Sequence, residues 1–348
     1  MSSEPEPGRT PRCSDARGEP LPGTAKKGMI YLIVEHPHGW GRDVLDGEAL
    51  GKDLADRISA KMKKAGAAFH LIRRPGRGRG TTDSRRAYLA FTSGPDPDAP
   101  PPSVEAFDLP GGVTDIFDID LSGPGRNTGL GARTVTHPLV LVCTHGKRDV
   151  CCAVKGRPMA SAMRAAASSA EGLVRRLSEA ACGIGGVTAE PTVDTETAAD
   201  TVWESSHTGG HRFAPSMILL PWGYSYGRMS TDQGMAMLGT LARGELPLPG
   251  LRGRGCVDGP GQAAEVAVAV ELSSAGCPAA PGELVITDPG AGNVESVVRM
   301  VTRARTGEQW LVHLEHRSLG EVLKSCGKPP AAADAWEVTA ISGVRNVR

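Results

Sequence analysis

Two pairs of residues with metal-binding side chains stand some fifty residues apart in this sequence. Cys143 and Cys152 form the first pair, and His207 and His211 form the second. Thiolate sulfur and neutral imidazole nitrogen are the ligands that proteins use for zinc and for iron–sulfur clusters. A His-x-x-x-His spacing inside a loop that contains glycine has no evident packing purpose. We therefore predict that these four residues bind one metal ion or one cluster.

The segments around each pair predict that both pairs lie on loops at strand ends. The apolar run 139–143 predicts a strand that ends at Cys143, and a polar segment follows it. A second strand is predicted over 201–204, directly before the histidines, and a third over 217–220, directly after them. Loops at the ends of neighbouring strands can bring their side chains to one site.

Cys151 precedes Cys152 directly, and neighbouring side chains point in different directions, so only one of the two is expected to be a ligand. We favour Cys152, although the sequence does not exclude Cys151. The remaining candidates are weaker. His145 is an unneeded fifth ligand, Cys13 an idle thiol, Cys182 a buried core residue, and His313 and His316 surface residues, whereas Cys256, Cys277 and Cys326 receive no predicted role.

Composition limits the class of protein. Lysine plus arginine equals aspartate plus glutamate at 39 each, which argues against a dedicated nucleic-acid binder. Eight cysteines in 348 residues are too few for a disulfide-stapled scaffold. The N-terminus lacks the apolar core of a signal peptide, and no apolar run approaches the roughly 20 residues that span a bilayer. We expect a cytoplasmic protein without membrane insertion, where clustered cysteine and histidine indicate metal binding.

The pattern along the chain predicts an α/β protein with two lobes. Residues 1–27 are rich in Pro, Glu, Gly, Ser and Arg and predict a disordered arm. A β-α-β unit opens an N-terminal α/β lobe over 28–133, and the second α/β lobe spans 134–290, with a helix from about Pro158 to Ala181. Residues 291–348 form a strand-rich segment that is expected to pack on one of the lobes.

The chain resembles the sucrase/ferredoxin-like family, whose core is similar to the thioredoxin-like [2Fe-2S] ferredoxins. Segments 143–149, 151–152 and 156–158 resemble the first cluster loop of that family, and segment 207–215 resembles the second. Shorter segments at 13–15, 18–21, 35–37, 39–43 and 325–327 resemble further family segments outside these loops. The resemblance implies that the second lobe is a thioredoxin-like ferredoxin sandwich, in which Pro215 stands at the cis-proline position.

The all-cysteine thioredoxin-like ferredoxins carry a Cys-x-x-x-Cys pair in their second loop, where this chain has His207 and His211. The resemblance therefore implies a [2Fe-2S] cluster with two thiolates on one iron and two imidazoles on the other, the ligand set of a Rieske centre. Imidazole adds no negative charge, so reduction is easier. Rieske potentials lie at roughly −150 to +300 mV, against about −400 mV for plant-type ferredoxins. Because a bound imidazole keeps a second nitrogen, the potential is expected to depend on pH.

Several other chemistries find little support. The chain has no Cys-x-x-Cys pair for dithiol exchange, no dinucleotide or phosphate-binding loop, and no pair of carboxylates that would predict glycoside cleavage. The basic segment Gly76–Gly80 is either a docking site for an acidic redox partner or a solvated turn.

These observations favour an electron-transfer protein with one [2Fe-2S] cluster, reduced with or without a coupled proton, and with a reductase or acceptor protein as its partner. The alternative from another class is an interaction module with a structural Cys2His2 zinc site. A weaker alternative is an oxidoreductase in which the cluster relays electrons to a substrate. An electron carrier is favoured over an enzyme, and neither nucleic acid nor membrane insertion is expected.

Overall fold

The computed structural model of the protein describes residues 12–76, 85–93, 99–169, 200–290 and 295–344. It is an α/β protein, as the sequence predicts, and it has one large sheet and a second, smaller sheet in the C-terminal segment. Most of the basic segment 76–80, residues 1–11 of the arm and positions 170–199, which include Cys182, lie outside the described residues. None of the described helices is both long and apolar enough to cross a membrane.

The first half of the large sheet is a β-α-β unit extended by two antiparallel strands. Strand β1 pairs parallel with β2 and antiparallel with β3, and β3 pairs antiparallel with β4. The strand β1 is a run of apolar residues that are buried on both faces, as expected for a central strand. The bounds are β1 (Ile30–Glu35), α1 (Lys52–Ala65), β2 (Ala67–Arg73), β3 (Arg85–Phe91) and β4 (Ser103–Leu109).

The second half repeats this arrangement. After the short strand β5, strand β6 pairs parallel with β7 and antiparallel with β8, and β8 pairs antiparallel with β9. The helix α3 follows β9, and β10 closes this edge of the sheet. The bounds are β5 (Arg133–Thr134), β6 (Leu139–Cys143), α2 (Val150–Ser169), β7 (Val202–Ser205), β8 (Met217–Leu220), β9 (Tyr224–Tyr226), α3 (Thr231–Ala242) and β10 (Leu251–Arg254).

The two halves form one continuous sheet of ten strands, in the order β10-β9-β8-β6-β7-β2-β1-β3-β4-β5. They meet where β2 pairs antiparallel with β7, with Ile72 opposite Ser205 and Arg73 opposite Glu204. On either side of this junction the strands have the same order and the same relative directions. Hydrogen bonding between β2 and β7 therefore connects the two predicted lobes in one sheet. The residue boundaries of these lobes stay a prediction.

The C-terminal segment forms a four-stranded antiparallel sheet that packs against the second half. Its strands follow helix α4 and include long paired strands, β13 and β14, that extend beyond the core. The inner residues Val301, Val312 and Leu314 share one hydrophobic core with α4 and with β6. The bounds are α4 (Gly259–Ser274), β11 (Leu284–Thr287), β12 (Ser296–Arg303), β13 (Gln309–Val322) and β14 (Ala331–Val344).

Two local predictions need correction. From residue 12 onward the arm is not an isolated coil: Cys13–Asp15 form a short 3₁₀ turn, and the carboxylate of Glu19 accepts two hydrogen bonds of 2.6 Å from Arg212. Helix α2 begins at Val150, eight residues before the predicted start at Pro158. Contacts with the folded core, which a local pattern does not show, order both segments.

Candidate metal centre

The two loops with the predicted ligands begin side by side because they follow neighbouring parallel strands. Cys143 is the last residue of β6, and it lies in register with Ser205, the last residue of β7. The backbone N–H of Thr144 donates to the carbonyl of Ser205 at 3.0 Å. The carboxyl ends of parallel strands share one edge of a sheet, so both loops leave from the same place. His207 follows two residues after the end of β7.

Helix α2 brings Cys152 to the end of β6. Asp149 precedes the helix, and its side chain accepts a hydrogen bond of 3.0 Å from the N–H of Cys151, as an N-cap residue does. A side chain at Gly156 has no room, since its Cβ would lie 2.0 Å from the carbonyl oxygen of Cys143. The helix therefore packs directly on the strand end, and its first turn holds Cys152 beside Cys143.

Two glycines shape the histidine loop between β7 and β8. Gly209 and Gly210 have φ angles of 88° and 79°, in the region that favours glycine. A Cβ at Gly210 would also lie 2.7 Å from the guanidinium of Arg252, which donates a hydrogen bond of 3.2 Å to the carbonyl of Gly209. The loop then forms a 3₁₀ turn at His211–Phe213 and enters β8 through a cis peptide bond before Pro215.

Cys143 and Cys152 interact as a pair of buried thiols, and neither is exposed to solvent. A hydrogen bond from Cys152, reinforced by His207, holds the pKa of Cys143 well below its usual value, although burial opposes this. The same hydrogen bond raises the pKa of Cys152. Of the two thiols, Cys143 is therefore the one that loses its proton more readily, and a cation at this position would favour the thiolate form of both.

His207 and His211 lie next to each other, with ring centroids 5.3 Å apart. The Nδ1 atom of His207 and both ring nitrogens of His211 are buried without a hydrogen-bond partner. Burial lowers the pKa of His211, while the carboxylate of Asp149, 3.7 Å from its Nε2, acts in the opposite direction. Buried, unpartnered nitrogens are costly in a folded protein, and metal coordination would satisfy one nitrogen of each ring. The residues present therefore fit a group with thiolate and imidazole ligands.

A second group of donors lies beside the predicted set. The sulfur atoms of Cys13, Cys151 and Cys326 and a carboxylate oxygen of Asp149 all lie within 4.8 Å of one another. This group is geometrically able to hold a metal ion. Among the residues described by the structure, no other set of three or more His, Cys, Asp or Glu donors is as compact. The four predicted ligands are accordingly more widely spaced.

The structure places the adjacent residues Cys151 and Cys152 in different groups. The sequence left open which of the two lies beside Cys143. Cys152 pairs with Cys143, whereas Cys151 lies with Cys13 and Cys326. Cys13, which is predicted from the sequence to be an idle thiol in the arm, has its side chain buried in this second group. The Nε2 atom of His145 donates to the carbonyl of Gly41 at 2.6 Å and is therefore not a free donor.

Sequence reasoning missed Cys13, Asp149, Cys151 and Cys326 as one group. Their three chain segments are separated by more than a hundred residues, for example 136 between Cys13 and Asp149. No local spacing records such a contact. The only signal was the resemblance of segments 13–15 and 325–327 to family segments outside the cluster loops.

The family model described as sucrase/ferredoxin-like matches residues 21–248, about two thirds of the chain. The chain belongs to the sucrase/ferredoxin-like family. The matched region contains both halves of the large sheet as far as α3, together with Cys143, Cys152, His207 and His211. Two residues of the second donor group, Cys13 and Cys326, lie outside the matched region. Comparisons with curated proteins and with solved structures return no significant match.

Proposed function

We propose that the protein is an electron carrier that binds one [2Fe-2S] cluster through Cys143, Cys152, His207 and His211. When bound, such a cluster accepts and releases electrons. The observation that carries the proposal is the arrangement of a thiol pair and an imidazole pair on two loops at one sheet edge. Three imidazole nitrogens of that arrangement are buried without a partner. Membership in the sucrase/ferredoxin-like family supports the same conclusion.

The spacing of the donors favours a two-iron group over a single ion. One tetrahedral zinc would draw all four donor atoms to within about 3 to 4 Å of one another. The four donors here are not that compact. They include two like pairs, the hydrogen-bonded thiols of Cys143 and Cys152 and the neighbouring rings of His207 and His211, and a hydrogen bond between His207 and Cys143 joins the two pairs. Like pairs on separate irons are the arrangement of a Rieske centre.

The histidine side of the site is the one through which we expect electrons to pass. Both cysteine side chains are inaccessible to solvent, whereas the His211 side chain is 16 % exposed. Arg212 and Arg228 flank this side, stacked on the ring of Phe213 at 4.3 and 4.9 Å. A redox partner with an acidic surface would approach this edge favourably. The protein partner itself is not defined by these residues.

Asp149 is positioned to hold a proton on His211. If Nδ1 of His211 binds iron, Nε2 carries the remaining proton, and the carboxylate of Asp149 lies 3.7 Å from it. At this distance the carboxylate acts on the ring electrostatically, and a closer approach to hydrogen-bond distance would also fix the orientation and tautomer of the ligand imidazole. Reduction makes the ligand ring more basic, so electron and proton affinity are coupled. The midpoint reduction potential is then expected to fall as pH rises. A midpoint potential that does not change from mildly acidic to strongly alkaline pH contradicts this coupling.

The proposal is tested by the visible spectrum of anaerobically purified protein before and after dithionite, with iron quantified in the same sample. We expect a brown protein with two irons per chain and bands that bleach on reduction. Cys143→Ser and Cys152→Ser should lose the bands, while Cys256→Ser, outside both donor groups, should keep them. Colourless protein without iron removes the electron-transfer function. Zinc that is lost with Cys143→Ser would then identify the alternative, a structural Cys2His2 module.

A further inference from the structure

Three cysteines from the two ends and the middle of the chain meet in one buried place. The sulfur of Cys13 lies 3.6 Å from that of Cys151 and 3.5 Å from that of Cys326, and the latter two are 3.4 Å apart. Cys13 belongs to the turn at the start of the described chain and Cys151 to the first turn of α2. Cys326 belongs to the connection between β13 and β14. The three thiols therefore form a compact triangle.

A carboxylate completes the triangle to four donors. The oxygens of Asp149 lie 3.6 and 3.7 Å from the sulfur of Cys13. They are held in place by the backbone N–H of Cys326 at 2.9 Å, the hydroxyl of Ser325 at 3.2 Å and the N–H of Cys151 at 3.0 Å. These three donors fix the carboxylate so that it faces the sulfur of Cys13.

Simple apolar packing does not account for this group. The thiols contact Ala214 and Leu323, which form only a small cluster apart from the main cores. The carboxylate of Asp149 caps α2 and accepts three hydrogen bonds, and although it is only 4 % exposed it is also directed at the sulfur of Cys13. Burying a charge is costly unless it is paired. A bound cation would pair with the carboxylate and convert the thiols to thiolates.

We propose that Cys13, Cys151, Cys326 and Asp149 form a second metal site, which binds one zinc ion with three thiolates and one carboxylate. The spacing is that of ligands on a single ion. Tetrahedral zinc with Zn–S bonds of about 2.3 Å separates two sulfur ligands by about 3.8 Å, and a sulfur from an oxygen at about 2.0 Å by about 3.5 Å. The three S···S separations of 3.4 to 3.6 Å and the S···O separations of 3.6 and 3.7 Å from Cys13 are near these values, and all four donors lie within 4.8 Å of one another. Cysteines that bind different irons of a cluster lie further apart.

The second site is distinct from the first, although the two are neighbours. Consecutive residues of a helix differ in direction by about 100°, so Cys151 points to the second site and Cys152 to Cys143. Asp149 links the sites, because the oxygen that faces Cys13 also lies 3.7 Å from Nε2 of His211. With four donors already present at each site, neither needs a ligand from the other.

The consequence of zinc binding is mechanical. The ion ties the arm from residue 12 and the β13–β14 connection to the N-terminus of α2, the helix that carries Cys152. Binding of a structural zinc adds directly to folding stability. The second site therefore reinforces the attachment of these segments to α2, whereas the packing of Gly156 on the end of β6 holds Cys152 beside Cys143. This role does not depend on the identity of the group at the first site.

The test is the zinc and iron content of the full-length protein and four variants, all purified without added metal. We expect one zinc per chain in the wild type, lost in Cys13→Ser and Cys326→Ser, whereas Cys277→Ser, an exposed cysteine outside the site, keeps it. Iron and the visible bands should be largely retained in Cys13→Ser. Absence of zinc from the wild type would overturn the proposal of a second site. Loss of zinc from Cys143→Ser but not from Cys13→Ser would overturn it as well.

A measurement on the wild type alone guards against variants that fail to fold. X-ray absorption at the zinc edge should show three sulfur ligands at about 2.3 Å and one oxygen ligand at about 2.0 Å. Two imidazole nitrogens in place of one sulfur and the oxygen would assign the ion to the first site and overturn the proposal. A disulfide between any two of the three cysteines, detected by mass spectrometry without reductant, would overturn it as well. Loss of iron alone affects only the proposed electron-transfer function.

Discussion

Cys151 and Cys152 are consecutive residues in the first turn of α2, yet their sulfur atoms join two different groups. Cys152 pairs with Cys143 at the end of β6, and Cys151 lies 3.6 Å from Cys13 of the arm. The helix can serve both groups because its N-terminus lies between the strand end and the arm. The position of this helix is therefore the structural feature on which both proposed metal sites depend.

Replacing a ligand histidine by cysteine should lower the reduction potential. His207→Cys and His211→Cys each add a negative charge to the iron ligands, which makes reduction harder. We expect a decrease on the order of 100 mV or more, toward the range of all-cysteine clusters. Spectroelectrochemical titration measures the change, and His313→Cys, at an exposed histidine of β13, is the matched control. Equal shifts in ligand and control variants would contradict the assignment.

Gly156→Ala should disrupt the first site without touching a ligand. The new Cβ would lie 2.0 Å from the carbonyl oxygen of Cys143, so α2 has to move away from the strand end. Overpacking of this kind costs about 1 to 3 kcal/mol, and the displacement separates Cys152 from Cys143. We expect iron content to fall by more than about half.

The control for this variant is Gly239→Ala in α3, where the nearest atom to the new Cβ is the end of the Arg243 side chain at 3.9 Å. Alanine is favoured over glycine in a helix by up to about 1 kcal/mol, so this variant should be neutral or slightly stabilising. Full iron content in Gly156→Ala would show that the close packing of α2 is not needed for the site.

Glu19→Gln should weaken the attachment of the arm to the histidine loop. Glu19 is 6 % exposed and accepts two hydrogen bonds from Arg212, the residue after His211. Removing one partner of a buried ion pair costs up to about 3 to 5 kcal/mol, and partial exposure of Arg212 reduces this to about 2 kcal/mol. A lower melting temperature is expected. Glu337→Gln, which removes an exposed pair with Arg317, should change little, and equal effects of both variants would argue against an anchored arm.

His36 should make stability depend on pH in the acidic range. Burial, together with the Arg85 guanidinium 2.9 Å from its Nδ1, lowers the pKa of His36 to about 4, whereas an unfolded chain has about 6.5. The folded state thus disfavours the proton. The stability advantage is complete above about pH 6.5 and is lost as pH falls toward 4.

His36→Asn keeps an acceptor for Arg85 but removes the titration. The difference in melting temperature between wild type and this variant should therefore shrink from about pH 7.5 to about pH 5, corresponding to about 1 to 2 kcal/mol. Because both proteins carry the same metal sites, acid effects on those sites cancel. A difference that does not vary with pH would show that His36 binds protons equally well in both states.

The parts of the fold that follow from the sequence are those with local signals. Strands Leu139–Cys143 and Met217–Leu220 have their predicted bounds because each is a short apolar run with clear ends. The start of α2 was misjudged because Gly156 and Pro158 suggested a boundary, whereas Gly156 is the residue that lets the helix pack on Cys143. Strand Ser103–Leu109 was missed because Pro-rich sequence precedes it.

The two candidate sites differ in how far apart their residues lie in the sequence, and therefore in whether a local signal could identify them. Cys143 and Cys152 lie within ten positions of each other and His207 and His211 within five, so spacing alone nominated them. The second group depends on contacts such as Cys13 with Cys326, which are 313 positions apart. Only the folded chain, with the arm and the β13–β14 connection packed on α2, reveals that these residues meet.

The most direct test of the central claim is the Mössbauer spectrum of the oxidised, iron-57-enriched protein. One iron bound by Cys143 and Cys152 and the other by His207 and His211 predicts two ferric doublets of equal area, because sulfur and nitrogen ligands give the irons different electronic environments. A single doublet would mean that both irons have the same ligands, and absence of iron would mean that no cluster is present. Either result would contradict the account.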